Sequence, residues 1–139
     1  MTYKMPRFFT LVAILFALLT ISSCKKPAGP GGKASIKGKI YIRDFNTAAT
    51  AVISEYYGPG ENVYICYGGD NAVGNNVKTS TDGSYEFLYL RTGHYKIFAE
   101  SRDTSIHVSG SNKLLSVALE VDITDSKQTL SLPDIIVNR

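Results

Sequence analysis

The stretch Thr81 to Ile97 fixes the class of fold this chain can adopt. Asp82-Gly83 is a tight-turn dipeptide, since glycine accepts the positive φ that such a turn needs. Tyr85, Phe87 and Tyr89 then alternate with other residues, which is the period of a strand. Thr92-Gly93 makes a second turn, and Tyr95, Ile97 and Ala99 alternate again. Two short strands punctuated this way belong to an antiparallel sheet, with Tyr85, Phe87, Tyr89, Tyr95, Ile97 and Ala99 facing inward.

The same alternation recurs along the chain. Ile36, Gly38, Ile40 and Ile42 share one face of a strand over 34–42, with Lys37 and Lys39 on the other. That is the pattern of a sheet with one dry and one wet side. A second strand spans Asn62 to Tyr67, with Val63, Ile65 and Tyr67 inward and Tyr64 and Cys66 outward. Gly68 to Asn76 reads as a polar loop and Val77 to Ser80 as a short third strand. The fourth runs from Tyr85 to Tyr89, with Leu90 packing inward from the turn after it. His94 to Glu100 is the fifth, followed by a polar loop over Ser101 to Lys113. Leu115, Val117, Leu119 and Val121 mark the inner face of a sixth, and a turn at Thr124 to Lys127 follows. Leu130 to Val137 is the seventh, which Pro133 confines to an edge or a bulge. Between Arg43 and Glu61, Phe45, Ala49, Val52, Ile53 and Tyr56 fall at helical spacing, but the β-branched residues favour a strand near Ala51 to Glu55. Gly58-Pro59-Gly60 ends it.

The Thr81-Asp82-Gly83 turn with Tyr85-x-Phe87, then Gly93-x-Tyr95-x-Ile97, resembles the carboxypeptidase regulatory-like domains. The resemblance covers Ile36 to about Ile97. It implies an all-β, seven-stranded antiparallel Greek-key sandwich of the transthyretin-like kind over residues 34–139. The segment 43–61 would be an insertion relative to that group.

The N-terminus carries a different signal. Lys4 and Arg7 precede an apolar run from Phe8 to Leu19, the length of a signal-peptide core and short for a membrane span. Ile21-Ser22-Ser23-Cys24 resembles the lipobox of bacterial lipoproteins. The resemblance implies a signal peptide over 1–23, cleavage before Cys24 and lipid attached there. Each buried acyl CH₂ contributes about 0.8 kcal/mol, so several chains anchor a small protein. Residues 24–33 (Cys-Lys-Lys-Pro-Ala-Gly-Pro-Gly-Gly-Lys) read as a flexible tether, and its basic rather than acidic start suits the periplasmic face of the outer membrane. Removing the first 23 of 139 residues leaves 13 basic against 12 acidic side chains, with no basic patch aimed at nucleic acid. Cys66 remains as a lone thiol, read as a small strand hydrophobe.

No catalytic set stands out. His94 and His107 are 13 residues apart, and neither has a carboxylate at zinc-ligand spacing. The C-terminal Ile136-Val137-Asn138-Arg139 lacks the Tyr-Arg-Gly-Ser ending of hydroxyisourate hydrolases. Ferric dioxygenases of this architecture need two closely spaced histidines beside their tyrosines. A lysine–asparagine isopeptide bond needs a buried acid where this chain has Ala99; Glu100 faces out. The loop residues Asp70, Asn71, Asn75 and Asn76 offer oxygens to calcium or a sugar, but a calcium site wants more than one carboxylate. A triad of His94, Asp70 and Asp82 would revive an enzymatic reading. No metal or cofactor is expected.

Surplus tyrosine is the remaining clue. Tyr56, Tyr57, Tyr64 and Tyr41 fall outside the inward set. With outward Leu88 and Phe98 they form a candidate apolar binding patch. The expected function is a noncatalytic, lipid-anchored envelope module that binds another protein or plays a structural part in an envelope assembly. A glycan-binding accessory role is the alternative, because exposed aromatic rings stack on sugars.

Overall fold

The computed structural model describes residues 27–105 and 113–139. The signal segment 1–23, the proposed lipid site Cys24, Lys25, Lys26 and His107 lie outside the described residues. What is described is all-β, with no helix and nine strands in two sheets, where seven strands were expected.

The first sheet is built on one long strand, β1 (Pro30–Phe45). Along one edge its first half pairs antiparallel with β5 (Ser84–Leu90), and its second half with β2 (Val52–Tyr57). Ile40 joins the two: its N–H donates to the Gly83 carbonyl, and its own carbonyl accepts from Gly58 N–H. The opposite edge carries β8 (Thr129–Ser131) and β9 (Ile135–Asn138), both parallel to β1. The second sheet is antiparallel, in the order β4 (Val73–Lys78), β3 (Asn62–Tyr67), β6 (Gly93–Arg102), β7 (Leu114–Ile123).

The core lies between the sheets. Ile36, Ile40 and Ile42 from β1, with Tyr85 and Phe87 from β5, meet Val63, Ile65, Tyr95, Ile97 and Ala99 from the second sheet, and Ile135 and Val137 close the side. Gly38 belongs to this inner row because the Tyr85 ring lies across it; a Cβ there would fall 2.5 Å from the Tyr85 hydroxyl. Val117, Leu119 and Val121 pack against the same core, but Leu115 is exposed rather than inward.

Several expectations are corrected. The tether is shorter than 24–33, since Pro30 pairs with Leu90 and β1 starts there. Ahead of it, Gly29 N–H donates to the Tyr95 hydroxyl at 2.9 Å, and the Gly29 carbonyl accepts from Arg91. The supposed polar loop 68–76 contains most of β4; Gly and Asn residues pair with β3 through backbone groups that carry no hydrophobic signature. The C-terminal strand is two short strands interrupted at Pro133, and both run parallel to β1. Tyr89 is exposed, not inward, because it adopts φ +59 and breaks the alternation, which returns Leu90 to the core. Cys66 was placed outward but is buried, in register with Lys96 and Val73.

A candidate binding face around Tyr57

The wet face of β1 carries Lys37, Lys39 and Tyr41. In register beside them stand Glu86, Ser84 and Tyr57. Tyr57 ends β2 just before Gly58, where the chain crosses to the second sheet. Thr79 fixes that crossing: its hydroxyl donates to the Gly58 carbonyl at 2.6 Å and accepts from Glu61 N–H at 2.8 Å.

The Tyr57 ring is held on three sides. Tyr41 meets it edge to face at 5.3 Å between centroids. Lys39 Nζ lies 4.7 Å from the ring centroid. The Tyr57 hydroxyl donates to Asp134 Oδ2 at 3.2 Å, and this bond, with the carboxylate's charge, raises the hydroxyl's pKa. The residue nevertheless stays 44% exposed. Lys39 also pairs with Asp82 Oδ2 at 3.2 Å. Ser84 donates its hydroxyl and backbone N–H to Asp82 Oδ1 at 2.6 and 3.1 Å. Those hydrogen bonds, with Lys39 adding to them, lower the Asp82 pKa to about 2.

Beside the ring opens a cleft of about 850 Å³, bounded by Lys37, Lys39, Tyr57, Lys78, Glu86 and Asp134. Tyr85 also lines it. The Tyr85 hydroxyl is buried with no hydrogen-bond partner among the described residues. Burial, with a contribution from Asp134, pushes its pKa up to about 12.

The six residues expected to form one apolar patch are divided. Tyr41 and Tyr57 lie together on the outer face of the first sheet, with Leu88 on the same face towards the other end of β1. Tyr56 sits on the other side of β2, in register with Ile42. Tyr64 and Phe98 stack with their centroids 5.0 Å apart, but on the outer face of the second sheet. The polar set is divided too. Asp70 and Asn71 follow β3, whereas Asn75 and Asn76 are consecutive in β4 and alternate in facing. Asn71 accepts from Lys96 Nζ at 3.3 Å. His94 lies 2.9 Å from Asp122 and 3.9 Å from Glu120, while Asp82 is engaged by Lys39 and Ser84, so no His94–Asp70–Asp82 triad assembles. Among the described residues, no three of His, Cys, Asp and Glu are grouped to hold a metal ion.

Sequence reasoning missed Asp134, Lys39 and Tyr85 as parts of this face. Lys39 and Tyr41 share β1 parity, which was a usable signal. Asp134 had none, because its approach to Tyr57 depends on pairing between distant parts of the chain.

No protein-family model matches the chain, and no curated protein does. Among solved structures, a Pseudomonas aeruginosa protein proposed to bind carbohydrate is similar over 81% of this chain and 92% of its own, with 15% sequence identity and a TM-score of 0.49. At that level the likeness assigns no ligand to this chain.

Proposed function

We propose that this protein is a noncatalytic binding module of the bacterial cell envelope, a Greek-key sandwich of the carboxypeptidase regulatory-like group, lipid-anchored through Cys24 to the periplasmic face of the outer membrane. Its ligand would be another envelope protein, met by the Tyr57 face and the adjoining free edge of β2. The observation that carries this reading is the state of Tyr57: a large ring exposed to solvent yet fixed by Tyr41, Lys39 and Asp134. A ring already immobilised loses little entropy on binding, which is the character of an interface anchor. Among the described residues β2 pairs with β1 alone, so its other edge offers backbone groups to an incoming strand.

Pull-down of the membrane-extracted protein tests this. A partner recovered by the native chain and reduced at least tenfold by Tyr57→Ala supports the reading; recovery of no partner overturns it. The glycan alternative draws on the hydroxyl-lined cleft beside Tyr57, whose volume suits a small ligand. Glycan-array binding lost in Tyr57→Ala would favour a sugar; binding unchanged there would remove Tyr57 from it.

A further inference from the structure

We propose that the end of the sandwich bearing Leu88, Tyr89, Arg91 and Lys33 is a docking face for an anionic phospholipid bilayer, and that it seats the domain on the membrane in one orientation. The proposal rests on the reading that Cys24 is lipidated, and adds the protein surface that meets the bilayer.

The first argument is the length of the leash. Cys24 precedes Pro27 by three residues. An extended chain covers at most about 3.6 Å per residue, so the acyl chains would leave the protein within about 11 Å of Pro27. From Gly29 onward the backbone is fixed to the body: Gly29 is bonded to both Arg91 and Tyr95, and Pro30 is paired with Leu90. Gly32 packs so tightly that a Cβ would fall 1.8 Å from the Leu90 carbonyl oxygen. A lipid at Cys24 therefore leaves this end of the domain little room to stand away from the bilayer.

The second argument is what that end presents. Leu88 is 52% and Tyr89 69% exposed. Both line a groove shared with Pro30 and Tyr67. Tyr89 holds φ +59, a conformation that non-glycine residues seldom adopt. Its effect is to turn two consecutive apolar side chains outward where strict alternation would bury one. Strain of this kind persists where it serves a surface or a site. Tyrosine and leucine partition into the headgroup and upper acyl region, and Arg and Lys beside them reach phosphates.

The third argument is charge. Lys33 and Arg91 stand at the same end of the sheet, next to the Ala34–Leu90 pair, with the Arg91 guanidinium over Gly31. Lys127 stands in the turn after β7. The acidic groups at this end are Glu86 in the groove and Asp125 in that turn. Asp122 and Glu120 face His94 on the second sheet. Among the described residues, the basic Lys33, Arg91 and Lys127 outnumber the acidic Glu86 and Asp125 at this end, while the exposed Leu88 and Tyr89 set which side meets the bilayer. Each such Lys or Arg adds a modest, salt-screened attraction to anionic lipid.

The chain has no tryptophan, so a single introduced indole reports its own surroundings. Full-length lipidated Tyr89→Trp is reconstituted into phosphatidylethanolamine–phosphatidylglycerol vesicles with brominated acyl chains. Tyr56→Trp is the control, because Tyr56 pairs with Ile42, eight residues along β1 from Ala34 and so about 26 Å away. The expected result is a blue-shifted emission in Tyr89→Trp, at least half quenched by bromine, with Tyr56→Trp unaffected. Leu88→Trp, a substitution at an exposed strand position, should behave like Tyr89→Trp and guards against a folding defect there. Vesicle-bound protein in which neither position 88 nor 89 is quenched beyond the control overturns the docking face and leaves the anchor standing. Native full-length chain that stays soluble, as Cys24→Ala is expected to, overturns the anchor itself and the proposal with it.

Discussion

Tyr85 is a large polar ring placed where the core offers it no hydrogen bond. Its hydroxyl is buried and has no partner among the described residues, and its ring fits only because Gly38 has no side chain. Removing a buried hydroxyl that lacks a partner relieves a desolvation cost. Tyr85→Phe should therefore be neutral or stabilise by up to about 1 kcal/mol, measured as the urea midpoint; a loss of stability would mean the hydroxyl is satisfied. Gly38→Ala should destabilise by about 1–3 kcal/mol, since the added methyl overlaps the Tyr85 ring. Asp82 gives the pH prediction. Its folded pKa, about 2, lies below the ordinary 3.8. A carboxyl lowered on folding contributes fully above its unfolded pKa and loses that contribution as pH falls through the folded one. Melting temperature should thus drop between pH 4 and pH 2, and the drop should be smaller in Asp82→Asn. Asp103, lowered chiefly by the Ser105 hydroxyl, titrates in the same direction, so some slope remains in that variant.

At the scale of elements, one side chain ties the entry segment to the body. The Tyr95 hydroxyl accepts from Gly29 N–H at 2.9 Å and donates to the Arg91 carbonyl at 2.8 Å. Tyr95→Phe leaves the Gly29 donor without that acceptor. The expected cost is about 1–3 kcal/mol, with faster proteolysis around Pro27 to Lys33; unchanged cleavage there would show that the segment is held by other contacts. Elements of this kind were unevenly legible. Ile36, Ile40 and Ile42, or Tyr95, Ile97 and Ala99, announce themselves because one buried face imposes a period of two. Val73 to Lys78 does not, because its exposed Gly and Asn residues enter the sheet through backbone groups alone. Tyr89 misleads for a local reason, a single left-handed residue that shifts the parity after it. The parallel pairing of β8 and β9 with β1 was invisible because it joins residues some ninety positions apart, and no local pattern encodes a partner at that distance. The binding face shares that difficulty: Tyr57 was readable as an outward ring, but Asp134 reaches it only through β9.

Taken whole, the molecule has two unlike ends along β1. Pro30 and Tyr89 mark the end from which the leash departs, and β2, with Tyr57 at its base, lies towards the other. Under the proposed seating, the Tyr57 face and the free β2 edge point away from the bilayer, where a periplasmic partner would find them. This requires both sheets to hold together as one unit, and Cys66 can report whether they do. It lies in β3, between β4 and β6, and is 1% exposed. The chain has two cysteines, so if Cys24 carries lipid as proposed, Cys66 is the one free thiol. A thiol this deep reacts only when its sheet opens. If opening is global and stability is at the usual few kcal/mol, labelling in native buffer should run about 10³-fold or more below labelling in guanidinium. Tyr95→Phe should then raise the native rate in proportion to its loss of stability, because β3 pairs directly with β6. A native rate close to the unfolded one, or one that ignores Tyr95→Phe, would mean that the second sheet opens without the first and that the two sheets do not unfold as one unit.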